Sequence, residues 1–156
     1  MDKTKPFDIS KQAVWDAYLK VAANAGAAGI DGQSLEQFEQ GRNNNLYKLW
    51  NRLSSGSYLP PPVKLVEIPK KGGGVRPLGV PTVTDRIAQT VAAQALEKVV
   101  ETVFDDDSYG YRPGRSAHDA LAVCRERCWR YDWAVDLDVK SFLDASSHCS
   151  FADCRF

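Results

Sequence analysis

The sequence lacks the features that mark a membrane or exported protein. No apolar run approaches the length needed to cross a bilayer, and no apolar segment follows the first lysines as it does in a secretion signal. We therefore expect a soluble, cytoplasmic protein without a membrane partner. Internal repeats and low-complexity tracts are also absent. With 44% hydrophobic and 26% charged residues, the 156-residue chain does not have the composition of a disordered protein and can bury one ordinary core.

The chain also lacks net charge, because 20 lysines and arginines balance 20 aspartates and glutamates. A nucleic-acid-binding protein usually carries a basic excess, so this balance argues mildly against such a partner. The charges are unevenly distributed, however. Five cations against two acids fall between Lys64 and Arg86, and five arginines against two acids fall between Arg112 and Arg130. A locally basic face is therefore expected on a neutral protein.

Four cysteines are present, at positions 124, 128, 149 and 154, and none of them forms the C-x-x-C spacing of common zinc sites. Cys124 and Cys128 are four residues apart and fall on one face of a predicted helix. Together with His148 they define a zinc-site hypothesis. The alternative, which we favour, is that the cysteines are reduced, partly buried thiols in a reducing compartment.

The stretch from Lys64 to Gly79 predicts a β-hairpin, because two short apolar runs flank three consecutive glycines. Lys70, Lys71 and Arg76 lie at or beside its tip. Glycine lets a backbone approach a ligand closely, and lysine and arginine are the side chains that bind phosphates. This stretch therefore predicts a phosphate-binding hairpin. The alternative is a solvated hairpin whose charges only keep the tip soluble.

Apolar periodicity and capping residues predict five helices around this hairpin. They begin after Ser10, at the Ser34/Gln37 capping box, near Asn44, after Thr82 or Thr84, and at the Ser116/Asp119 capping box. The predicted helical segments are 11–24, a short helix from 34, 44–54, 82–104 and 116–129. The fourth should be a main core helix, with an apolar i+4 stripe formed by Ile87, Val91, Ala95, Val99 and Val103.

An alternating apolar pattern from Trp133 to Val139 predicts a strand that carries Asp136 and Asp138 on one face. A carboxylate among apolar residues is costly to bury unless it is paired or bound to a cation. Mg²⁺ held by one or two carboxylates together with substrate phosphates is one solution. The alternative is a salt bridge from one aspartate to Lys140 or a neighbouring arginine, with the other aspartate facing water. The run of Asp105, Asp106 and Asp107 is interpreted as a solvated loop.

Four linked motifs resemble the reverse transcriptases encoded by bacterial group II introns. They are AGIDGQSLEQFE (28–39), IPKKGGGVRPLGVPTVTDRIAQ (68–89), DSYGYRPGRSAHDA (107–120) and WAVDLDVKSFLD (133–144). The resemblance spans about residues 25–144. It implies an α+β fold, namely the fingers subdomain of a reverse transcriptase followed by the first palm strand. The implied organisation is a helical amino-terminal extension (1–57), fingers (58–132), the first palm strand (133–144) and an atypical tail (145–156).

The resemblance also implies a role for each residue of the site. Asp138 would be the catalytic residue and the first Mg²⁺ ligand of a two-metal centre. Lys70 and Arg76 would clamp the incoming deoxynucleoside triphosphate, with Val139 and Leu143 beside its sugar. Leu143 stands where the family has an aromatic residue. The implied nucleic-acid contacts are Lys71, Arg86, Tyr111, Arg112, Pro113, Arg115 and Ser116.

The 156 residues contain no tyrosine-x-aspartate-aspartate sequence, which supplies the other catalytic carboxylates in this family. The chain is therefore expected to be an amino-terminal part of an RNA-directed DNA polymerase/maturase that is inactive alone, and residues 145–156 are interpreted as a frameshifted or degenerate end. The implied partners are group II intron RNA, an RNA template with a DNA primer, a second copy of the chain or a complementing palm chain. The alternatives are an intron RNA-binding module without catalysis and a non-functional remnant.

Overall fold

The computed structural model describes residues 6–137 and contains five helices and one two-stranded antiparallel sheet within that range. The mixture of helices with a single hairpin confirms the predicted α+β class. The chain divides into two compact units between Phe104 and Asp105. The elements are α1 (Lys11–Ala23), α2 (Leu35–Gln40), α3 (Arg42–Ser55), β1 (Lys64–Pro69), β2 (Val75–Val80), α4 (Val83–Val100) and α5 (Ala117–Cys128).

The predicted helix caps are confirmed. Ser10 accepts a hydrogen bond from the amide of Ala13 at 3.0 Å, and Thr82 caps α4. Both predicted capping boxes form, one at Ser34 before α2 and one at Ser116 before α5. These side chains satisfy amides that the first helical turn leaves without a partner, so the local sequence fixes where these four helices begin. Helix α3 has no side-chain cap and begins at Arg42 rather than near Asn44.

The core of the first unit lies where α1 packs against α4 and α3. Val14, Tyr18 and Val21 of α1 are buried, and Phe38 of α2 is fully buried. Helix α3 contributes the buried Leu46 and Leu49, with Trp50 and Leu53 partly buried against the cluster. The remaining core side chains come from the first half of α4. They are Val83, Ile87, Ala88 and Val91.

The predicted core stripe of α4 is wrong in its second half. Ile87 and Val91 are buried, but Ala95, Val99 and Val103 are exposed, and the helix ends at Val100 rather than near Phe104. Helix α1 has 13 residues against the 18 of α4, and the other helices and strands of the first unit leave the far end of α4 exposed. Periodicity therefore marks an apolar face without showing how much of it is covered.

The predicted strand at Trp133 does not form over its described part. Residues 133–137 have no strand assignment, and Trp133, Val135 and Leu137 are exposed. A strand requires a partner for its ladder, and within residues 6–137 β1 and β2 pair only with each other. The rest of the predicted palm strand lies outside the described residues. None of the described helices is both long and apolar enough to cross a membrane.

Candidate nucleotide and nucleic-acid interface

The hairpin tip is a tight loop built on glycine. The amide of Lys70 donates to the carbonyl of Gly74 at 3.0 Å, and the amide of Gly73 donates to the carbonyl of Lys70 at 3.1 Å. Gly73 and Gly74 have φ of +89° and +82°, a region that disfavours residues with a Cβ. A Cβ added to Gly72 would meet no atom within 4 Å, so the tip has open space around its backbone.

The hairpin register separates Arg76 from the acid of the same sheet. Arg76 is opposite Ile68, and Val66 is opposite Leu78, so these four residues share one face. Glu67 is opposite Pro77 and lies on the other face. Arg76 therefore projects from a largely apolar face and does not pair with the only carboxylate of the two strands.

The three cations of the tip are exposed and lack charged partners. Within residues 6–137, the side chains of Lys70, Lys71 and Arg76 form no hydrogen bond and no ion pair. Their charges lie within seven residues of one another around a loop without a side-chain obstruction. An anion at this tip would meet one guanidinium fork and two mobile ammonium groups, a combination suited to phosphate oxygens.

The basic, aromatic loop before α5 exposes the side chain of Tyr111. Tyr111 has φ +56° and a fully exposed ring (111%). A tyrosine in this left-handed region is uncommon, so the surrounding turn determines where its ring points. Arg115 lies 5.6 Å from the centroid of the Tyr109 ring and 3.9 Å from the carboxylate of Asp106. Pro113 is also exposed.

Two other residues of this loop form hydrogen bonds within the protein. Arg112 is only 9% exposed, and its Nη1 donates to the backbone carbonyls of Asp105 at 2.6 Å and Ser108 at 2.9 Å. The Ser116 hydroxyl and amide both donate to the Asp119 carboxylate, at 2.7 and 2.8 Å. These hydrogen bonds hold the pKa of Asp119 below its ordinary value. Both residues fix the shape of the loop from which Tyr111 projects.

The three consecutive aspartates form an exposed loop, as the sequence predicts. Asp107 pairs with Arg127 at 2.6 Å, and its hydrogen bond is the main reason that the pKa of Arg127 is raised. Asp105 accepts from the amide of Asp107 at 2.8 Å, which closes a short turn. The carboxylates of Asp105 and Asp107 therefore form contacts with the backbone of the loop and with Arg127 of α5.

Arg86 contacts backbone on two sides. Its Nε and Nη2 donate to the carbonyl of Pro81 at 3.2 and 3.0 Å, and Nη2 also donates to the carbonyl of Ala27. The side chain is partly buried at the start of α4. It lines a groove of about 520 Å³ together with Asn24 and Gln89.

Sequence analysis missed a buried hydrogen-bond network next to Arg86. Asp85 is 3% exposed, and its carboxylate accepts from the Tyr58 hydroxyl at 2.9 Å and from the Gln89 amide at 2.8 Å. Burial and this carboxylate raise the pKa of Tyr58. An acid in the first turn after Thr82 is a visible capping signal. Nothing in the sequence links it to a tyrosine 27 residues away.

No group of three or more potential metal ligands is found in the part of the chain that the structure describes. Cys124 and Cys128 are exposed rather than partly buried, and a hydrogen bond between them raises the pKa of the Cys128 thiol. The third residue of the zinc hypothesis, His148, lies outside the described residues. So do Asp138, Val139 and Leu143, whose predicted roles remain predictions.

Comparisons with known proteins agree with the motifs. Residues 68–148, more than half of the chain, match the family described as "Reverse transcriptase (RNA-dependent DNA polymerase)". The chain is 36% identical to the group II intron-encoded protein LtrA of Lactococcus lactis subsp. cremoris, over 85% of this chain and 22% of that protein. It is 36% identical to protein YkfC of Escherichia coli, over 80% of this chain and 34% of that protein.

Nuclear intron maturase 2 of Arabidopsis thaliana, a mitochondrial protein, is 42% identical over 60 residues, 38% of this chain and 8% of that protein. The chain thus spans about a third or less of the length of these relatives. The chain belongs to the reverse transcriptase (RNA-dependent DNA polymerase) family, as a relative of the group II intron-encoded proteins.

Proposed function

We propose that this chain supplies the fingers of a group II intron-encoded reverse transcriptase/maturase, and that its hairpin binds the triphosphate of the incoming deoxynucleotide. The observation that carries this proposal is the cluster of three exposed cations without charged partners, at an open glycine tip. Lys70 and Arg76 are the proposed triphosphate ligands. Lys71, next to them, contacts a phosphate of the nucleic acid. These groups bind charge and do not select a base.

The loop that precedes α5 is the proposed template contact. The exposed ring of Tyr111 offers a flat surface on which an RNA base stacks, and Pro113 and Arg115 flank it. Arg112 and Ser116 support this surface indirectly, since their polar groups hold the backbone of the loop. Base-independent contacts of this kind fit an enzyme that copies templates of any sequence.

The catalytic role is proposed for Asp138 as the first Mg²⁺ ligand. When bound, Mg²⁺ would stabilise the charge that develops on the attacking and leaving oxygens. Val139 and Leu143 would lie beside the nucleotide sugar. The described residues by themselves contain no set of ligands for a cation, and the 156 residues contain no tyrosine-x-aspartate-aspartate sequence. The remaining carboxylates must then come from outside these 156 residues, so the polypeptide assayed alone should not polymerise.

Nucleotide binding tests the hairpin directly. A fluorescent deoxynucleoside triphosphate is titrated with the 156-residue chain and with its Lys70→Ala and Arg76→Ala variants. We expect each variant to weaken binding about tenfold, since charge-assisted hydrogen bonds contribute about 1.5 kcal/mol or more each. Lys64→Ala is the matched control, because it removes one charge from the far end of the same hairpin. Equal losses at Lys64 and Lys70 would refute a specific tip site.

Primer extension separates polymerase chemistry from binding. We expect no DNA synthesis above background by the 156-residue chain on a primed RNA template. Synthesis that disappears in Asp138→Ala would contradict the proposed inactivity, because it would mean that a complete site assembles without other residues.

A second candidate is RNA binding without catalysis, favoured by the exposed Tyr111 ring beside arginines. Salt-dependent binding of intron RNA by a monodisperse protein would support it. Aggregation without RNA binding would instead support a non-functional remnant.

A further inference from the structure

Two adjacent residues at the start of α4 hold the two ends of the hairpin. Pro81 directly follows β2, and its carbonyl accepts two of the three hydrogen bonds that the Arg86 guanidinium donates. Tyr58 precedes β1, and its hydroxyl donates to Asp85. The hairpin has mostly exposed residues along both strands, and these contacts at its base join it to the helical core.

We infer that Arg86 is a positioning residue, which fixes the base of the hairpin and the 24–32 loop against α4, rather than a contact to the template. This inference rests on the proposed function of the hairpin. The guanidinium already donates to the carbonyls of Pro81 and Ala27. A phosphate that drew Nε or Nη2 away would orphan the partly buried carbonyl of Pro81, so only Nη1 is left to meet another acceptor.

The glycines of the 24–32 loop are matched to this arrangement. A Cβ on Gly26 would collide with the Arg86 guanidinium, and a Cβ on Gly29 would lie 2.7 Å from the backbone of Thr82. Both glycines therefore allow the loop to approach the first turn of α4. Gly26 in particular leaves the space that the guanidinium occupies, so a substitution there displaces Arg86 without altering any charge.

The two roles of Arg86 predict different behaviour for a charge-conserving change. Arg86→Lys keeps the charge that a phosphate contact requires, and Gly26→Ala keeps the whole arginine, so neither change should abolish such a contact. The positioning contacts of Arg86 are lost in both variants. Lysine cannot reproduce the fork that reaches Pro81 and Ala27 together, and a Cβ at Gly26 takes the space of the guanidinium. Loss of a phosphate contact also reduces the slope of log affinity against log salt by about 1, whereas a positioning change leaves that slope unchanged.

The test measures binding of a fluorescent RNA template annealed to a DNA primer by the 156-residue chain at several salt concentrations. We expect Arg86→Lys and Gly26→Ala each to weaken binding roughly threefold to tenfold at an unchanged salt slope. Lys98→Ala is the control for α4, since it removes an exposed cation about 18 Å further along the helix. A reduced slope in Arg86→Ala with normal binding by Gly26→Ala would overturn the inference.

Hydrogen exchange provides a readout that does not depend on RNA. In Arg86→Lys and Gly26→Ala, deuterium uptake should increase in the 24–32 loop and at residues 79–82, and it should stay unchanged in α3 and in Lys98→Ala. If the wild-type chain binds no primed template, the proposed function fails, but hydrogen exchange still tests the positioning role of Arg86. Unchanged deuterium uptake at residues 79–82 in both variants would overturn the positioning role of Arg86.

Discussion

Replacing Tyr58 by phenylalanine removes a single oxygen and tests the buried network at the base of the hairpin. The Tyr58 hydroxyl donates to the Asp85 carboxylate at 2.9 Å, and Asp85 is 3% exposed with Gln89 as its other side-chain partner. A hydrogen bond to a charged acceptor contributes about 1.5–3 kcal/mol, and the lower end applies because Tyr58 is only partly buried. We expect Tyr58→Phe to lower the free energy of unfolding by about 1.5 kcal/mol.

For a unit of this size, that loss corresponds to a fall in Tm of about 6–12 °C. Thermal unfolding followed by circular dichroism gives the measurement. Tyr47→Phe is the matched control, because Tyr47 is exposed and its hydroxyl has no hydrogen-bond partner among residues 6–137. Equal Tm values for Tyr58→Phe and wild type would refute the claim that this hydrogen bond stabilises the hairpin base.

The stability difference between the wild type and Tyr58→Phe should depend on pH. Burial and the neighbouring carboxylate raise the pKa of Tyr58 above its ordinary value of 10.0, so the folded protein holds the phenolic proton more tightly than the unfolded chain. The stabilisation is fully present below pH 10 and is lost as the pH rises toward the folded-state pKa. The stability difference between wild type and Tyr58→Phe should therefore shrink above pH 10 in urea titrations. A difference that stays constant to pH 11 would contradict this linkage.

Three further changes test the core, a turn and a cap. Phe38→Ala should cost about 3–5 kcal/mol in urea unfolding, because its ring is fully buried, while Leu96→Ala on the exposed end of α4 should cost less than about 0.5 kcal/mol. Gly56→Ala should destabilise more than Gly32→Ala in thermal melts. Both have φ near +70°, but only at Gly56 would the new Cβ meet a phenylalanine ring, at 2.7 Å. In Asp119→Asn, the loss of α5 helicity below pH 4, measured by circular dichroism, should be smaller than in the wild type. The lowered pKa of Asp119 means that the stabilisation by its carboxylate is lost as the pH falls.

Local signals in the sequence predicted most element boundaries. Ser34 and Ser116 each have their capping partner three residues ahead, and Gly56 ends α3 in the left-handed region, so the information needed lies within one helical turn. The hairpin was predictable for the same reason, since its glycines and flanking apolar runs are adjacent.

Long-range contacts were not predictable from these patterns. Trp50 donates to the carbonyl of Ile9 at 2.7 Å across 41 residues, and Asp85 meets Tyr58 across 27. Arginines illustrate the limit most clearly. Arg76, Arg86 and Arg112 carry the same charge in sequence, yet one is exposed without a charged partner and the other two hold backbone carbonyls.

The prolines of the hairpin limit the hydrogen bonds that its exposed edges offer to other molecules. Both strands leave an outer edge unpaired, and their side chains include exposed Leu65, Ile68 and Val75. Such edges invite strand addition from other molecules. Pro69 in β1 and Pro77 in β2 each remove one amide donor, so neither edge offers an unbroken row of hydrogen-bonding groups. The two prolines therefore weaken strand addition at the edges of the hairpin while its face stays exposed.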